Sequence, residues 1–402
     1  MTNNAPSDKR LFLLDAYALI YRAYFAFIKN PRFNSKGLNT SAMLGFTNTL
    51  EQLLAKEKPS HVAVVFDVHA PTFRHEMYEP YKATREEMPE DLRKAIPWVR
   101  KIIEAYNIPI IEKAGFEADD VIGTLATKAE QQGYTTYMMT PDKDYAQLVS
   151  DHVYMYKPGR GGNEVEVWGV KEVCENFEVQ RPEQVIDILG LMGDTADNIP
   201  GCPGIGPKTA MKLIGEYGSI DKLYANIDQL KGKQKENLLE HEEQVRLSRK
   251  LVVIIRDVPV EFDEAKLSME DPDWNKLKEI FTELEFRSLV EKMEPDKAAQ
   301  PAAPAFAQGS LFGAADIPVK EEPAPSNLAD LTNTPHEYYL VENAMQRASL
   351  RAELSVQDEF CFDTETTGLD TLNDELVCLS FAFRKGEAYC VTLPKKRDEA
   401  LK

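Results

Sequence analysis

Short apolar runs alternate with longer amphipathic segments over residues 11–175, and this alternation constrains the fold more than any other feature. The runs are LFLLD (11–15), HVAVVFD (61–67) and TTYMMT (135–140). Segments between them, such as residues 41–56 and 118–132, have the length and apolar spacing of helices. Buried strands that alternate with helices are typical of an α/β domain with a mainly parallel sheet. We therefore predict an α/β domain over residues 1–175.

The pattern changes beyond residue 175. Residues 180–292 contain helix-length segments separated by short Gly/Pro turns, and VVIIRDVPVEF (252–262) is the one strand-like stretch. This pattern predicts a mostly helical subdomain over residues 176–292.

An Ala/Pro-rich stretch with six prolines, Pro295 to Pro325, follows the helical subdomain. Such a composition is typical of a flexible linker, which we assign to residues 293–335. Strand-like runs then return as YYLV (338–341), EFCFDTE (359–365) and LVCLSFAFR (376–384). We predict the first part of another α/β unit over 336–402, and we expect the chain to be a fragment of a longer protein.

The chain carries 47 basic and 66 acidic residues, a formal net charge of −19. Such a charge argues against a nucleic-acid partner unless the acids are concentrated in one site and the bases lie on another surface. No apolar run is long enough for a membrane span, and the N-terminus lacks the apolar region of a secretory signal. The five cysteines are scattered without a C-x-x-C pair. We expect a cytoplasmic protein with reduced thiols.

Acidic residues follow the predicted strands at the edge where parallel α/β sheets place their chemistry. E-x-D-D begins the 118–132 helix, D-x-D follows the TTYMMT run, and D-x-x-D lies further along the chain. The nine acids are Asp15, Asp67, Glu117, Asp119, Asp120, Asp142, Asp144, Asp194 and Asp197. Each one taken singly is explained more simply as a helix cap or a solvated loop residue. Their occurrence in order within one domain favours a shared site.

Carboxylates brought together at one sheet edge repel each other unless cations lie between them. Ligands that are all oxygen select Mg²⁺ or Mn²⁺ over zinc, and two such ions about 4 Å apart are the usual apparatus for phosphodiester hydrolysis. We therefore expect two or more divalent ions at this edge.

The motifs LFLLDAYALIYRAYFAF, GFEADDVIGTLA, TPDKDYAQLV and GLMGDTADNIPGCPGIGPKTAMKLI closely resemble the 5′ nuclease region of the bacterial DNA polymerase I family, which is related to the flap endonucleases. The resemblance covers residues 10 to about 292. It implies a PIN-like catalytic domain, a helix-hairpin-helix subdomain, and a metal-dependent nuclease that acts on DNA with 5′ flaps, nicks or RNA primers. All nine acids match the metal-site acids of the family.

Basic and aromatic residues also match the family around its gateway helix. The resemblance implies catalytic roles for Arg22, Arg74, Lys82 and Arg85 and a DNA-binding role for Tyr81. Lys82 and Arg85, three residues apart on a helix, would grip the scissile phosphate, and Tyr81 would stack on an unpaired base. The alternative, an exposed charged helix with one half-buried tyrosine, is equally compatible with the interleaved acids.

The segment PGCPGIGPKTA (200–210) has the composition of a phosphate-binding turn. Gly204 and Gly206 would allow a tight turn with outward N–H groups, and Lys208 and Thr209 would open the next helix. A lone G-x-G is weak evidence, since it also occurs in ordinary helix connections. The resemblance identifies the segment as the family's helix-hairpin-helix element, which holds duplex DNA and often a K⁺ ion.

Two further motifs lie beyond residue 292. Asp363 and Glu365 in FDTETTGL share one side of a strand, as the period of two requires, and resemble the first motif of a 3′–5′ proofreading exonuclease. This likeness implies an incomplete RNase H-like domain without proofreading activity. Gln308, Leu311 and Phe312 in QGSLF resemble sliding-clamp-binding peptides, although such a short motif also arises by chance.

From this resemblance we expect a 5′–3′ exonuclease or flap endonuclease that is monomeric, not membrane-bound and associated with the bacterial nucleoid. Two alternatives stay open. One is an RNA-cutting nuclease of similar fold, and the other is a noncatalytic DNA-tethering module.

Overall fold

The computed structural model describes residues 9–68, 70–159, 165–293, 337–341, 343–357, 359–366, 376–384 and 386–393. The chain divides into two compact units, Met1–Ala305 and Phe306–Lys402, which we describe separately. Gln308, Leu311, Phe312 and nearly all of the segment 293–335 lie outside the described residues.

A six-stranded sheet forms the centre of the first unit. Its strands are β1 (Arg10–Asp15), β2 (His61–Val65), β3 (Ile110–Ile111), β4 (Thr135–Met139), β5 (Val153–Lys157) and β6 (Glu166–Trp168). The strand order is β3-β2-β1-β4-β5-β6, and all neighbours are parallel except β5 and β6. The predicted mixed α/β fold with a mainly parallel sheet is confirmed.

Helices cover both faces of this sheet. The helices before β6 are α1 (Ala16–Ala26), α2 (Ser41–Glu57), α3 (Phe73–Met77), α4 (Glu90–Ala105) and α5 (Ala118–Gln131), with a 3₁₀ helix at Lys143–Leu148. Along β1, Leu11 and Leu13 face one apolar core while Phe12 and Leu14 face the other. This alternation explains why β1 is apolar throughout, because a strand between two helical layers is buried on both sides.

The remainder of the first unit is helical. Its elements are α6 (Val170–Phe177), α7 (Gln184–Met192), α8 (Pro207–Tyr217), α9 (Ile220–Ala225), a 3₁₀ turn at Ile227–Gln229, α10 (Gly232–Glu240), α11 (Glu242–Leu251), α12 (Glu264–Leu267), α13 (Trp274–Glu283) and α14 (Arg287–Lys292). Helices α7 to α11 enclose a third core that includes Ile188, Leu213 and Val245. None of the described helices is long and apolar enough to cross a membrane.

The strand-like stretch 252–262 is not a strand. It is irregular chain that lies against the first core through Val252, Ile254 and Val258. Side chains rather than a neighbouring strand satisfy its backbone: Gln147 Oε1 accepts from Ile254 N at 2.9 Å, and Thr124 Oγ1 accepts from Val258 N at 3.0 Å. Its apolar residues reflect burial, which periodicity alone does not distinguish from strand formation.

The second unit contains β7 (Glu337–Val341), α15 (Ala344–Leu354), β8 (Cys361–Thr366), β9 (Leu376–Arg384) and β10 (Glu387–Thr392). Its sheet has the order β7-β10-β9-β8, with β7 and β10 parallel and the other pairs antiparallel. A small cluster around Val341, Leu350 and Val391 joins the helix to the sheet. The predicted RNase H-like identity of this unit stays a prediction.

Candidate metal centre

The strand order changes direction at the centre of the sheet, and the predicted acids gather there. Strands β2 and β3 lie on one side of β1, whereas β4 and β5 lie on the other. In parallel α/β sheets ligands bind beyond the carboxyl ends of the strands at such a switch point. Asp15 ends β1, Asp67 follows β2, and Asp142 follows β4.

Asp15 is buried and forms the N-cap of α1, where its Oδ1 accepts from Ala18 N at 3.1 Å. Burial, with the nearby negative charges of Asp67 and Asp142, raises the pKa of Asp15 to about 7. Burial likewise raises the pKa of Asp67, whose Oδ1 accepts from Ala118 N at 2.9 Å. Both carboxyls are therefore less stable as free anions here than in water.

The E-x-D-D sequence begins α5 with Glu117 as its N-cap, and its two aspartates differ in environment. Burial raises the pKa of Asp119 well above its ordinary value, against the attraction of Arg74. Asp120 is fully buried, and both of its oxygens bind the guanidinium of Arg74, at 2.7 and 2.8 Å. Asp120 also accepts from the backbone N–H groups of Glu117 and Ile255.

These contacts change our interpretation of Asp120 and Arg74. Arg74 is 1% exposed, and its guanidinium also donates to the carbonyls of Leu251 and Val253. A carboxylate with four hydrogen bonds has its acceptor capacity filled. The expectations that Asp120 binds a metal directly and that Arg74 is a catalytic residue do not agree with this geometry. The pair instead ties α3 and α5 to the end of α11 and the chain that follows it.

Asp142 and Asp144 lie at the start of the 3₁₀ helix, where Asp142 Oδ1 accepts from Asp144 N at 3.0 Å. Desolvation raises the pKa of both carboxyls, and Asp194 and Asp197 add negative charge. Asp144 Oδ1 is buried without a hydrogen-bond partner in the described part of the chain. An unsatisfied buried carboxylate oxygen is costly, which indicates that a cation belongs beside it.

Asp194 and Asp197 lie in the turn after α7 and are paired with bases. Lys143 Nζ is 3.1 Å from Asp194 Oδ2, and Arg85 Nε donates to Asp197 Oδ1 at 3.1 Å. The turn is closed by Gly193, with φ 69°, where a Cβ would lie 2.4 Å from the carbonyl oxygen of Ile199. This position requires glycine because any side chain would overlap the backbone opposite.

The predicted gateway helix is absent from residues 78–89, all of which are described. Helix α3 ends at Met77, and turns follow it. Lys82 adopts φ 58°, its N–H donates to the carbonyl of Asp197 at 2.9 Å, and its Nζ lies 2.8 Å from Glu117 Oε2. Lys82 and Arg85 therefore reach the carboxylates from a turn, not from one helix face.

Tyr81 is also placed differently from the prediction. It is 3% exposed, and its hydroxyl donates to Glu117 Oε2 at 3.0 Å and Asp197 Oδ2 at 3.2 Å. Its ring packs edge-on against His75. A buried ring cannot stack on a nucleic-acid base, so the prediction of base stacking is wrong for this arrangement.

Arg22 lies on α1 and donates to the carbonyls of Pro158 and Gly159.

The carboxylates thus converge, but they are not oriented as a pre-formed metal-binding site. Among the described residues, no three His, Cys, Asp or Glu side chains are arranged as a metal site. The carboxylates other than Asp144 instead accept from an N–H group, a hydroxyl or a cationic side chain, because like charges repel when no cation separates them. The all-oxygen donor set, the unsatisfied Asp144 oxygen and the mutual repulsion nevertheless fit hard divalent cations.

A cleft of about 840 Å³ lies beside these acids. Its walls include Lys82, Arg85 and three aromatic residues of α1, namely Tyr17, Tyr21 and Phe25. These aromatics were not predicted as site residues, although their spacing of four residues places them on one helix face. Tyr145 and Thr140, which contact Asp15, were not predicted either.

The predicted phosphate-binding turn lies ahead of α8. Gly204 has φ 79°, whereas Gly206 has extended backbone geometry and is the N-cap of α8. Only Gly204 therefore needs glycine for its conformation. Lys208 is exposed and Thr209 partly exposed in the first turn of the helix. In the second unit, Asp363 and Glu365 are both exposed on β8, an edge strand.

Two family models match the chain: the N-terminal resolvase-like domain of 5′-3′ exonucleases over residues 10–178, and their C-terminal SAM fold over residues 180–275. Among solved structures, T5 5′-exonuclease with bound zinc is 22% identical with a TM-score of 0.50, covering 72% of this chain and 99% of its own. The catalytic core of Rad2 with DNA substrate is 20% identical with a TM-score of 0.50, covering 71% and 91%. At these identities the likeness shows the shared fold.

Curated relatives extend the match in sequence. DNA polymerase I of Bacillus caldotenax is 43% identical over 288 residues, 71% of this chain but 32% of the relative. This chain spans about a third of the length of that polymerase. A 5′-3′ exonuclease of Aquifex aeolicus is 39% identical over 304 residues, 76% of this chain and 100% of the relative. Because that exonuclease is matched over its whole length, the chain belongs to the 5′-3′ exonuclease family.

Proposed function

We propose that the chain is the 5′ nuclease region of a bacterial DNA polymerase I, which removes 5′ flaps and RNA primers by hydrolysing phosphodiester bonds. The 43% identity to a DNA polymerase I over this region supports the assignment. So does the similarity in fold to nucleases whose structures hold DNA or divalent metal ions.

The observation that carries the proposal is the convergence of acids from five separate segments at the switch point of the sheet. The pKa values of Asp15, Asp119 and Asp144, raised by burial and by the charges of neighbouring carboxylates, are those of groups that need cations. We propose that Mg²⁺ or Mn²⁺ ions are held by Asp15, Asp67, Glu117, Asp119, Asp142, Asp144, Asp194 and Asp197, with Asp120 supporting them from behind.

When bound, the divalent ions supply a nucleophile at neutral pH by lowering the pKa of water, and they stabilise the leaving oxygen. The chain itself would position the substrate. Lys82 and Arg85, now paired with Glu117 and Asp197, would exchange these partners for the scissile phosphate. The cleft beside them, with its aromatic wall, would hold the unpaired strand.

The SAM-fold domain would hold the duplex. The turn before α8 exposes backbone N–H groups at a helix N-terminus, with Lys208 next to them. Such a terminus binds a phosphate without reading bases. A K⁺ ion at this turn belongs to the same proposal.

The second unit would be the first part of a proofreading exonuclease domain, with Asp363 and Glu365 as the start of its acidic site. DNA polymerase I of Chloroflexus aurantiacus supports this assignment, since it is 36% identical over 389 residues, 92% of this chain and 40% of the relative.

A cleavage assay tests the proposal. We would incubate the purified chain with a labelled duplex carrying a 5′ flap, with Mg²⁺ or with EDTA, and compare it with Asp142→Asn and Asp151→Asn. Asp151 is an exposed aspartate at the amino end of β5, on the opposite edge of the sheet, and serves as the matched control. A single-stranded RNA of the same sequence is a parallel substrate.

We expect wild type and Asp151→Asn to release the flap only with Mg²⁺, and Asp142→Asn to bind the substrate without cutting it. Cleavage of RNA in preference to the flap would favour the RNA-cutting alternative. Binding without cleavage by all three proteins would favour a tethering module.

A further inference from the structure

One buried tyrosine contacts the acidic site from beneath and has no part in the mechanism proposed above. Tyr145 lies in the 3₁₀ helix that Asp142 caps and that contains Asp144, and it is 1% exposed. Its ring belongs to the first apolar core, but its hydroxyl points at Asp15. A phenylalanine would fill the same space in the core, so the hydroxyl requires a separate explanation.

The hydrogen bonds around Asp15 distinguish its two oxygens. Oδ2 accepts from the Tyr145 hydroxyl at 3.0 Å and from Thr140 Oγ1 at 3.3 Å. Oδ1 accepts from Ala18 N at 3.1 Å. A carboxylate oxygen has two lone pairs, so the two hydroxyls fill the capacity of Oδ2 while Oδ1 keeps one site. The hydroxyls therefore determine which oxygen of Asp15 is left for a cation.

The same hydroxyls connect Asp15 to the neighbouring acids. Thr140 Oγ1 accepts from Asp142 N at 3.2 Å, and Tyr145 follows Asp144 directly in the chain. The carboxyl end of β1 is thereby tied to the turn after β4. The two sides of the switch point, each carrying acids, are held in one arrangement by this network.

We propose that Tyr145 is a positioning residue for Asp15: its hydroxyl binds Oδ2 and holds Oδ1 in the orientation that receives a divalent cation. This inference rests on the proposed metal-dependent nuclease function. Removal of a group that orients a metal ligand typically lowers metal affinity or activity about 10–100-fold.

The test is Tyr145→Phe, which removes one oxygen and keeps the ring. Tyr134→Phe is the matched control, because Tyr134 is also 1% exposed and its hydroxyl lies 3.4 Å from His61 Nε2. This contact is at the amino ends of β2 and β4, remote from the acids. Mg²⁺ binding would be measured by calorimetry on DNA-free protein, and the Mg²⁺ concentration for half-maximal flap cleavage would be measured in parallel. Melting in EDTA reports the stability of each variant.

We expect Tyr145→Phe to weaken Mg²⁺ binding about tenfold or more and to raise the half-maximal Mg²⁺ concentration accordingly. Tyr134→Phe should leave both values at wild-type level. Thr140→Val, which removes the other donor to Oδ2, should weaken Mg²⁺ binding in the same direction and provides a second test if Tyr145→Phe folds poorly.

Mg²⁺ affinity unchanged in both Tyr145→Phe and Thr140→Val would overturn the inference, and so would a loss in Tyr145→Phe no larger than in Tyr134→Phe. Failure of the proposed function would be recognised in a different way, because wild type would then show neither Mg²⁺ binding nor metal-dependent cleavage. Wild type that cleaves, with variants that match it, would contradict only the role of Tyr145.

Discussion

Arg74 and Asp120 form a two-point ion pair at the base of the acidic site, with N–O distances of 2.7 and 2.8 Å, and both residues are almost completely buried. The guanidinium also donates to the carbonyl of Leu251, the last residue of α11, and to that of Val253 just beyond it. One buried arginine thus joins α3, α5 and the helical subdomain beneath the site.

This pair predicts that Arg74 acts on stability. Arg74→Met should lower the free energy of unfolding by about 3–5 kcal/mol, because it leaves Asp120 buried without its counter-charge. Arg85→Ala, at a side chain that is 54% exposed, should lower it by less than about 1 kcal/mol while reducing flap cleavage. Urea denaturation and cleavage rates measure the two effects. Equal stability losses in the two variants would contradict the assignment.

Lys82 should affect cleavage more than metal binding. Its ammonium lies 2.8 Å from Glu117 Oε2 and 3.8 Å from Asp197 Oδ2. In the free protein it therefore neutralises part of the negative charge of these two carboxylates. Lys82→Ala should lower kcat about 10²–10³-fold if the ammonium stabilises the phosphate in the transition state. Calorimetric Mg²⁺ affinity without DNA should stay unchanged or rise, since a competing cation is removed. A variant with weaker Mg²⁺ binding would show that Lys82 supports the metal site instead.

The raised pKa of Asp15 predicts the pH dependence of stability without metal. The folded pKa of about 7 exceeds the ordinary value of 3.8, so the folded state holds this proton more tightly than the unfolded state. The contribution of Asp15 to stability should therefore fall as the pH rises from about 4 to 7 and then level off. In EDTA, the difference in unfolding free energy between wild type and Asp15→Asn should follow this course.

At pH 8, Mg²⁺ should reverse which of wild type and Asp15→Asn has the higher melting temperature. In EDTA, Asp15→Asn should melt higher than wild type, by roughly 2–4 °C for each kcal/mol of repulsion relieved. With saturating Mg²⁺, wild type should gain stability from the bound ion and the variant should gain less. A difference in melting temperature that is independent of both pH and Mg²⁺ would contradict the role of Asp15 as a ligand.

The two glycines before α8 should separate folding from DNA binding. Gly204→Ala places a side chain at φ 79° and 3.1 Å from Asn237 Nδ2, and should cost about 1–2 kcal/mol of stability. Gly206→Ser meets no atom within 4 Å and adds an N-cap side chain, so it should not destabilise the protein. The new hydroxyl would accept hydrogen bonds from the same backbone N–H groups that we expect to bind a DNA phosphate, and would therefore compete with it. Weaker duplex binding at unchanged melting temperature is therefore expected for Gly206→Ser, and unchanged binding would argue against a phosphate at this turn.

The sequence by itself determined the α/β alternation, the parallel sheet and the acids at its carboxyl edge. The runs 11–15 and 61–67 predict β1 and β2, and the spacing of residues 118–132 predicts α5, because burial and helix periodicity are local properties. The position of an acid directly after a strand is equally local, so Asp15 and Asp142 could be placed at the site from the sequence.

Only the tertiary structure decided what each acid contacts. Asp120 binds an arginine 46 residues away and Asp15 a tyrosine 130 residues away. Tyr81 is buried and 252–262 is irregular because packing against distant segments overrides local preference. Periodicity reports which side of an element is buried, but the partner of a buried polar group is selected by three-dimensional packing. The roles of Arg74 and Tyr145 therefore follow from the fold, and the sequence pattern does not contain them.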